Sequence, residues 1–102
     1  MGILNFFFKN NRTEIKDFLK RGAVIIDVRT ELEWEQGHLN NAIHIPLSDL
    51  KNQIDDIKQL KKPVIAHCKS GVRSARATKL LKFYKIEAVN GGGIADLKRL
   101  ID

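Results

Sequence analysis

The sequence has a single cysteine, and that scarcity removes several chemistries at once. The chain cannot close an internal disulfide or carry a Cys-x-x-Cys redox pair, so any two-thiol reaction needs a thiol from outside. Long apolar runs are missing too. The apolar start, Ile3-Leu4 and Phe6-Phe7-Phe8, is far short of the ~20 residues that span a bilayer. It also lacks the charged leader and small-residue cleavage site of a signal peptide, and Phe6 breaks the N-myristoylation pattern. Residues 1–11 are therefore expected to be an apolar segment docking on the core. Acidic residues are absent from Lys58 to Lys85, where nine Lys or Arg stand together within a net charge of +6. Stacking aromatics are scarce there: only Phe83 and Tyr84 are available, so nucleic acid is not the expected partner and small anions are.

What is present describes an ordinary soluble domain. A length of 102 residues with 43% hydrophobic and 29% charged residues supports one modest core. Lone-cysteine usage suits a reducing compartment, and a cytoplasmic location is expected. Three histidines and one cysteine at positions 38, 44, 67 and 68 make no zinc pattern, so neither a metal nor another cofactor is expected.

Apolar runs and helical periodicity alternate along the chain. Asn11 with Glu14 resembles a capping box, and Ile15, Phe18 and Leu19 continue it at helical spacing to Gly22. Residues 23–28 form a short apolar run, interrupted only by Asp27 and without polar alternation, as expected of a strand buried on both faces of a parallel sheet. A helical turn over 32–36 ends at Gly37, and a strand over 42–45 stops at Pro46. Ser48 can cap a helix to Leu60, with Leu50, Ile54 and Ile57 on one face, until Lys61-Lys62-Pro63 breaks it. Residues 64–67 give a third strand. Ala77, Leu80, Leu81 and Tyr84 then mark the buried stripe of a helix for which Ser74 is the expected N-cap. A fourth strand over 87–90, a turn at Gly91–Gly93 and a helix over 94–101 complete the pattern. The expectation is an α/β sandwich with a mostly parallel central sheet, whose ligands bind beyond the carboxyl ends of the strands.

Asp27 and Cys68 both fall at such ends. Cys68 opens the loop Cys68-Lys69-Ser70-Gly71-Val72-Arg73-Ser74 between a strand and a helix. Backbone N–H groups and the positive end of a helix dipole favour a thiolate or a bound anion there. Gly71 gives conformational freedom, Ser70 and Ser74 add hydroxyls, and Arg73 adds a fixed positive fork. Asp27 with Arg29 reads as a buried ion pair that braces the loop. His38 reads as a structural hydrogen-bonder and His44 as a satisfied core or edge residue. His67 points away from its neighbour Cys68 if the strand is extended.

The blocks Asp27-Val28-Arg29, Glu33 to Leu39, Ala42 to Leu47, Cys68 to Ser74 and Asn90 to Ile94 occur in the order seen in rhodanese domains. The chain resembles a single-domain rhodanese over about residues 12–100, with 12–102 as one domain. That resemblance implies a three-layer sandwich with a sheet of four to five strands. It also implies sulfurtransferase activity of the thiosulfate type. Cys68 would be the nucleophile and persulfide carrier, with ping-pong kinetics. The N–H groups of Lys69 to Ser74, including Ser70, Gly71 and Val72, would cradle the persulfide. Arg73 would anchor the loop and help hold an anionic donor, and Lys69 would touch that donor. The acceptor would be cyanide in vitro and a thiol or protein in the cell, and the protein a monomer or weak homodimer. The tryptophan common after the glycine turn is replaced by Ile94-Ala95-Asp96-Leu97.

Two alternatives remain at this level. A cysteine phosphatase or arsenate reductase uses a loop one residue longer than Cys68-x4-Arg73. A persulfide carrier or interaction module acting on a protein partner shares the chemistry but not the acceptor.

Overall fold

The structure, a computed structural model, describes residues 2–101, with side-chain detail over 11–101. The docking expected of Ile3, Leu4 and Phe6 to Phe8 lies outside the described side chains. In chain order the elements are α1 (Gly2–Lys20), β1 (Val24–Asp27), α2 (Glu31–Glu35), β2 (Ala42–His44), a 3-10 turn (Leu47–Gln53), α3 (Ile54–Gln59), β3 (Val64–Cys68), α4 (Val72–Phe83), β4 (Ala88–Gly93) and α5 (Ile94–Ile101).

The four strands are all parallel, in the order β2-β1-β3-β4. Alternation along β3 sorts the core into two layers. Val64, Ala66 and Cys68 join Ile26, Val28, Leu50, Ile54, Ile57, Ala77 and Leu81 under α3 and α4. Ile65 joins Ile15, Phe18, Ile25, Leu39, Val89 and Leu97 under α1 and α5. Every residue of β3 is buried, as a central parallel strand covered on both faces requires. The result is the expected three-layer sandwich, with the β3 carboxyl end as its floor for a site.

Several local expectations give way to tertiary packing. Asn11 caps nothing, because α1 already begins at Gly2, and its side chain instead donates to the Asn90 carbonyl at 2.7 Å. Ser48 is no cap either: the chain after Pro46 winds as 3-10 turn without a side-chain cap, then becomes α-helical at Ile54. Ser74 lies inside α4, whose N-cap is Gly71 at φ 99°, a left-handed conformation that suits a residue without a Cβ. The triplet Gly91–Gly93 is strand rather than turn. Its register shifts by one residue between Ala66 and His67, which inserts Gly91 as an extra residue and brings Gly93 opposite Cys68. A Cβ on Gly93 would stand 2.5 Å from the Lys69 carbonyl oxygen, so the close approach of β4 to the loop demands glycine.

Candidate active site

The first N–H groups of a helix have no intrahelical partner, and in α4 one of them is turned onto the cysteine. Ser74 N–H points at Cys68 Sγ at 3.4 Å, and Gly71 N–H at 3.0 Å. The Ser74 hydroxyl oxygen lies 3.3 Å from the same sulfur. Cys68 is fully buried beneath these groups. Burial by itself pushes the thiol up, but the backbone N–H groups of Ser74, Gly71 and Ser70 outweigh it and leave Cys68 below its ordinary range. The loop therefore favours a negative sulfur at the end of β3.

The structure places the remaining loop residues unequally. Lys69, Ser70 and Val72 are exposed, and Arg73 is half-buried. Arg73 makes a two-pronged pair with Glu33 of α2, Nη1 to Oε1 at 2.6 Å and Nη2 to Oε2 at 2.9 Å. Its guanidinium is thus committed to bracing the loop against α2. Glu33 is placed by a capping box: Thr30 Oγ1 accepts the Glu33 N–H, and Glu33 accepts the Thr30 N–H. The Arg73 hydrogen bonds are the main reason that the Glu33 carboxyl falls to about 2. Glu33 was not among the expected site residues. The Thr30-x-x-Glu33 spacing shows the cap in the sequence, but nothing local shows its partner forty residues on.

That depressed value has a sign that can be tested. The clamp contributes stability above the ordinary Glu range near 4.5 and loses it as pH falls towards about 2. Glu33→Gln should therefore lower the melting temperature, on the order of a few degrees, at about pH 6. Wild type and variant should converge by about pH 2, and a gap that persists there would contradict the clamp.

Beneath α2, Arg29 lies over Asp27 through Nε and Nη2 at 2.7–3.0 Å, and Arg29 Nη2 also donates to the Gly37 carbonyl at 2.8 Å. Burial pushes the Asp27 carboxyl up, and the Arg29 side chain and backbone N–H bring it below its ordinary value. His67 faces this pair rather than the sulfur, with Nε2 3.7 Å from Asp27 Oδ2 and no hydrogen-bond partner. Burial lowers its pKa despite Asp27, so it is neutral at neutral pH. His38 and His44 stack on Trp34, with ring centroids 3.5 and 4.8 Å away. His38 Nδ1 pairs with the Trp34 carbonyl and His44 Nε2 with the Arg29 carbonyl. His67 Nδ1 lies 3.5 Å from the Cys68 carbonyl, so all three histidines are engaged away from the sulfur itself. Among the described residues no group of three His, Cys, Asp or Glu could hold a metal.

Residues 11–99 match the family described as Rhodanese-like domain. The chain belongs to the rhodanese-like domain family. Its relatives include the uncharacterized protein YqhL of Bacillus subtilis, 45% identical over 62 residues that cover 61% of this chain and 48% of YqhL. Another is the tRNA uridine(34) hydroxylase of Buchnera aphidicola, 27% identical over 87% of this chain and 33% of the relative. The chain thus spans about half of one and a third of the other. Among solved structures, a rhodanese with anions from E. coli superposes with a TM-score of 0.67 at 32% identity, covering 72% of this chain and 89% of that one. The rhodanese-like domain presents Cys68 where its β3 and α4 meet.

Proposed function

We propose that the protein is a sulfurtransferase that carries a sulfane sulfur on Cys68 as a persulfide. The observation that carries this reading is the short turn from Cys68 to Arg73, whose Gly71 N–H, with that of Ser74 just beyond, converges on one sulfur at 3.0 and 3.4 Å. A cradle of four residues between Cys and Arg fits one added sulfur atom better than a phosphate.

In the first half-reaction the Cys68 thiolate attacks the outer sulfur of a donor such as thiosulfate. A new S–S bond forms as the donor's S–S bond breaks, and the electron pair departs with sulfite. The outer sulfur of the persulfide then bears the charge, among the N–H groups from Lys69 to Ser74. In the second half-reaction cyanide, a thiol or a protein nucleophile takes that sulfur, and the electron pair returns to Sγ. No cofactor is required. Because Cys68 has no exposed surface, the loop has to part to admit the donor. Lys69, exposed beside the nucleophile, is the contact for an anionic donor, Arg73 holds the loop through Glu33, and Asp27, Arg29 and His38 hold the frame. The anions on the E. coli rhodanese are consistent with such a donor. A reducing compartment such as the cytoplasm suits a single working thiol.

One observation favours a protein as acceptor. Val72 in the loop is 69% exposed, and Leu32 beside Glu33 is 67% exposed. Two bare apolar side chains next to the Glu33–Arg73 bridge give a partner something to grip.

Exposure to thiosulfate followed by intact-mass measurement tests the proposal. The protein should gain one sulfur atom, removable by cyanide and mapped to the Cys68 peptide. No gain of sulfur, or hydrolysis of para-nitrophenyl phosphate in its place, would overturn it.

A further inference from the structure

The Asn90 side chain, in β4, hydrogen-bonds two residues of the cysteine loop and one of its own strand. Its Oδ1 accepts the Gly92 N–H at 2.9 Å and the Ser74 hydroxyl at 2.6 Å, and its Nδ2 donates to the Gly71 carbonyl at 3.1 Å. These partners fix which way the amide faces. Turned over, it would set its NH2 against the Gly92 N–H and its oxygen against the Gly71 carbonyl. The atom facing Ser74 is therefore an oxygen without a proton.

A serine hydroxyl has one proton to give. The short bond to Asn90 takes it, so Ser74 Oγ turns a lone pair towards Cys68 Sγ, 3.3 Å away. A thiol can donate to that lone pair. A thiolate cannot, and is repelled by it.

We propose that Asn90 is a positioning residue that withholds the Ser74 hydroxyl proton from Cys68, leaving a negative Sγ to the backbone N–H groups alone. A persulfide carries its charge on the outer sulfur, beyond the Ser74 lone pair, whereas a thiolate carries it on Sγ. The Asn90–Ser74 pair thus penalises the empty thiolate relative to the loaded persulfide and favours retention of sulfur on the protein. That consequence rests on the persulfide reading; the effect on the resting thiol does not.

The ionisable groups around Cys68 are Arg73 with Glu33, Lys69, and His67 with Asp27 and Arg29, while Arg76, Lys79 and Lys82 further along α4 are exposed. β4 bears no ionisable side chain, and those of α3 and α5 are exposed. None of them is touched by changes at positions 74 or 90.

The rate of iodoacetamide alkylation against pH tests the proposal, because the single cysteine reports on itself alone. Asn90→Ala frees the hydroxyl to donate to Sγ and should lower the midpoint by about one pH unit. Adding Ser74→Ala to that variant should raise it again by a similar amount. In the wild-type background Ser74→Ala removes the lone pair that faces Sγ and should lower the midpoint, by less than Asn90→Ala does. A midpoint that is unchanged or raised in a cooperatively melting Asn90→Ala protein overturns the proposal. So does a midpoint unchanged or raised in Ser74→Ala alone. If Asn90→Ala fails to fold, the Ser74→Ala profile decides by itself. Sulfur loading plays no part in this measurement, so a failure of the sulfurtransferase reading and a failure of this one are distinguishable.

Discussion

Cys68→Ser should remain folded and lose sulfur transfer by on the order of 10⁴-fold or more, the scale on which enzymes lose turnover without their nucleophile. The fold should hardly notice the exchange. Serine is slightly smaller, and its oxygen can accept the Gly71 and Ser74 N–H groups that now point at Sγ. The variant should therefore melt within about 4 °C of the wild type. The chemistry, in contrast, has no substitute. A hydroxyl at this position does not ionise near neutral pH, and the chain has no second cysteine to take over. Parallel thermal melts and thiosulfate–cyanide turnover assays separate the two effects. Turnover above about a hundredth of the wild-type rate would place the nucleophile elsewhere.

Asp27→Ala should have the largest effect on stability, about 3–5 kcal/mol, or roughly 12–20 °C in melting temperature for a domain of this size. Both partners are buried, Asp27 fully and Arg29 to 6% exposure. Without the carboxylate, Arg29 keeps a single side-chain hydrogen bond, to the Gly37 carbonyl. An unpaired guanidinium in that position costs far more than the pair contributes on balance. The damage should spread to the site, because Arg29 ties down the segment that carries Glu33, and Glu33 holds Arg73. A melting temperature within a few degrees of the wild type would mean that water reaches Arg29 and that this chain of contacts does not brace the loop.

Short-range chemistry was readable without coordinates. Asp27 and Arg29 lie two residues apart, and Cys68 to Ser74 is one continuous loop, so their proximity follows from covalent connection. The first three strands came out within a residue because parallel strands buried on both faces need apolar runs, and 24–26 and 64–66 supply them. Caps fared worse. Asn11, Ser48 and Ser74 are all good capping residues, yet each lies where tertiary contact gives its side chain other work or none. Ser74 shows the reason most clearly. With Gly71 in a left-handed conformation the helix begins early, so position 74 falls inside it and the hydroxyl turns to Asn90. Gly91–Gly93 misled for a related reason: glycines that usually mark a turn here let one strand pass close to a loop.

The sequence by itself determined the alternation of strands and helices, the buried ion pair and the place of the single cysteine at the end of a strand. These depend on composition and spacing along a few residues, which propensity and sterics govern directly. The tertiary structure alone decided that Glu33 meets Arg73 and that Asn90 meets Ser74, across 40 and 16 residues of chain. Those meetings follow from strand order, which puts β1 with the α2 that follows it on one side of β3 and β4 on the other. Strand order is settled by how the layers pack, and no local pattern along the chain records it.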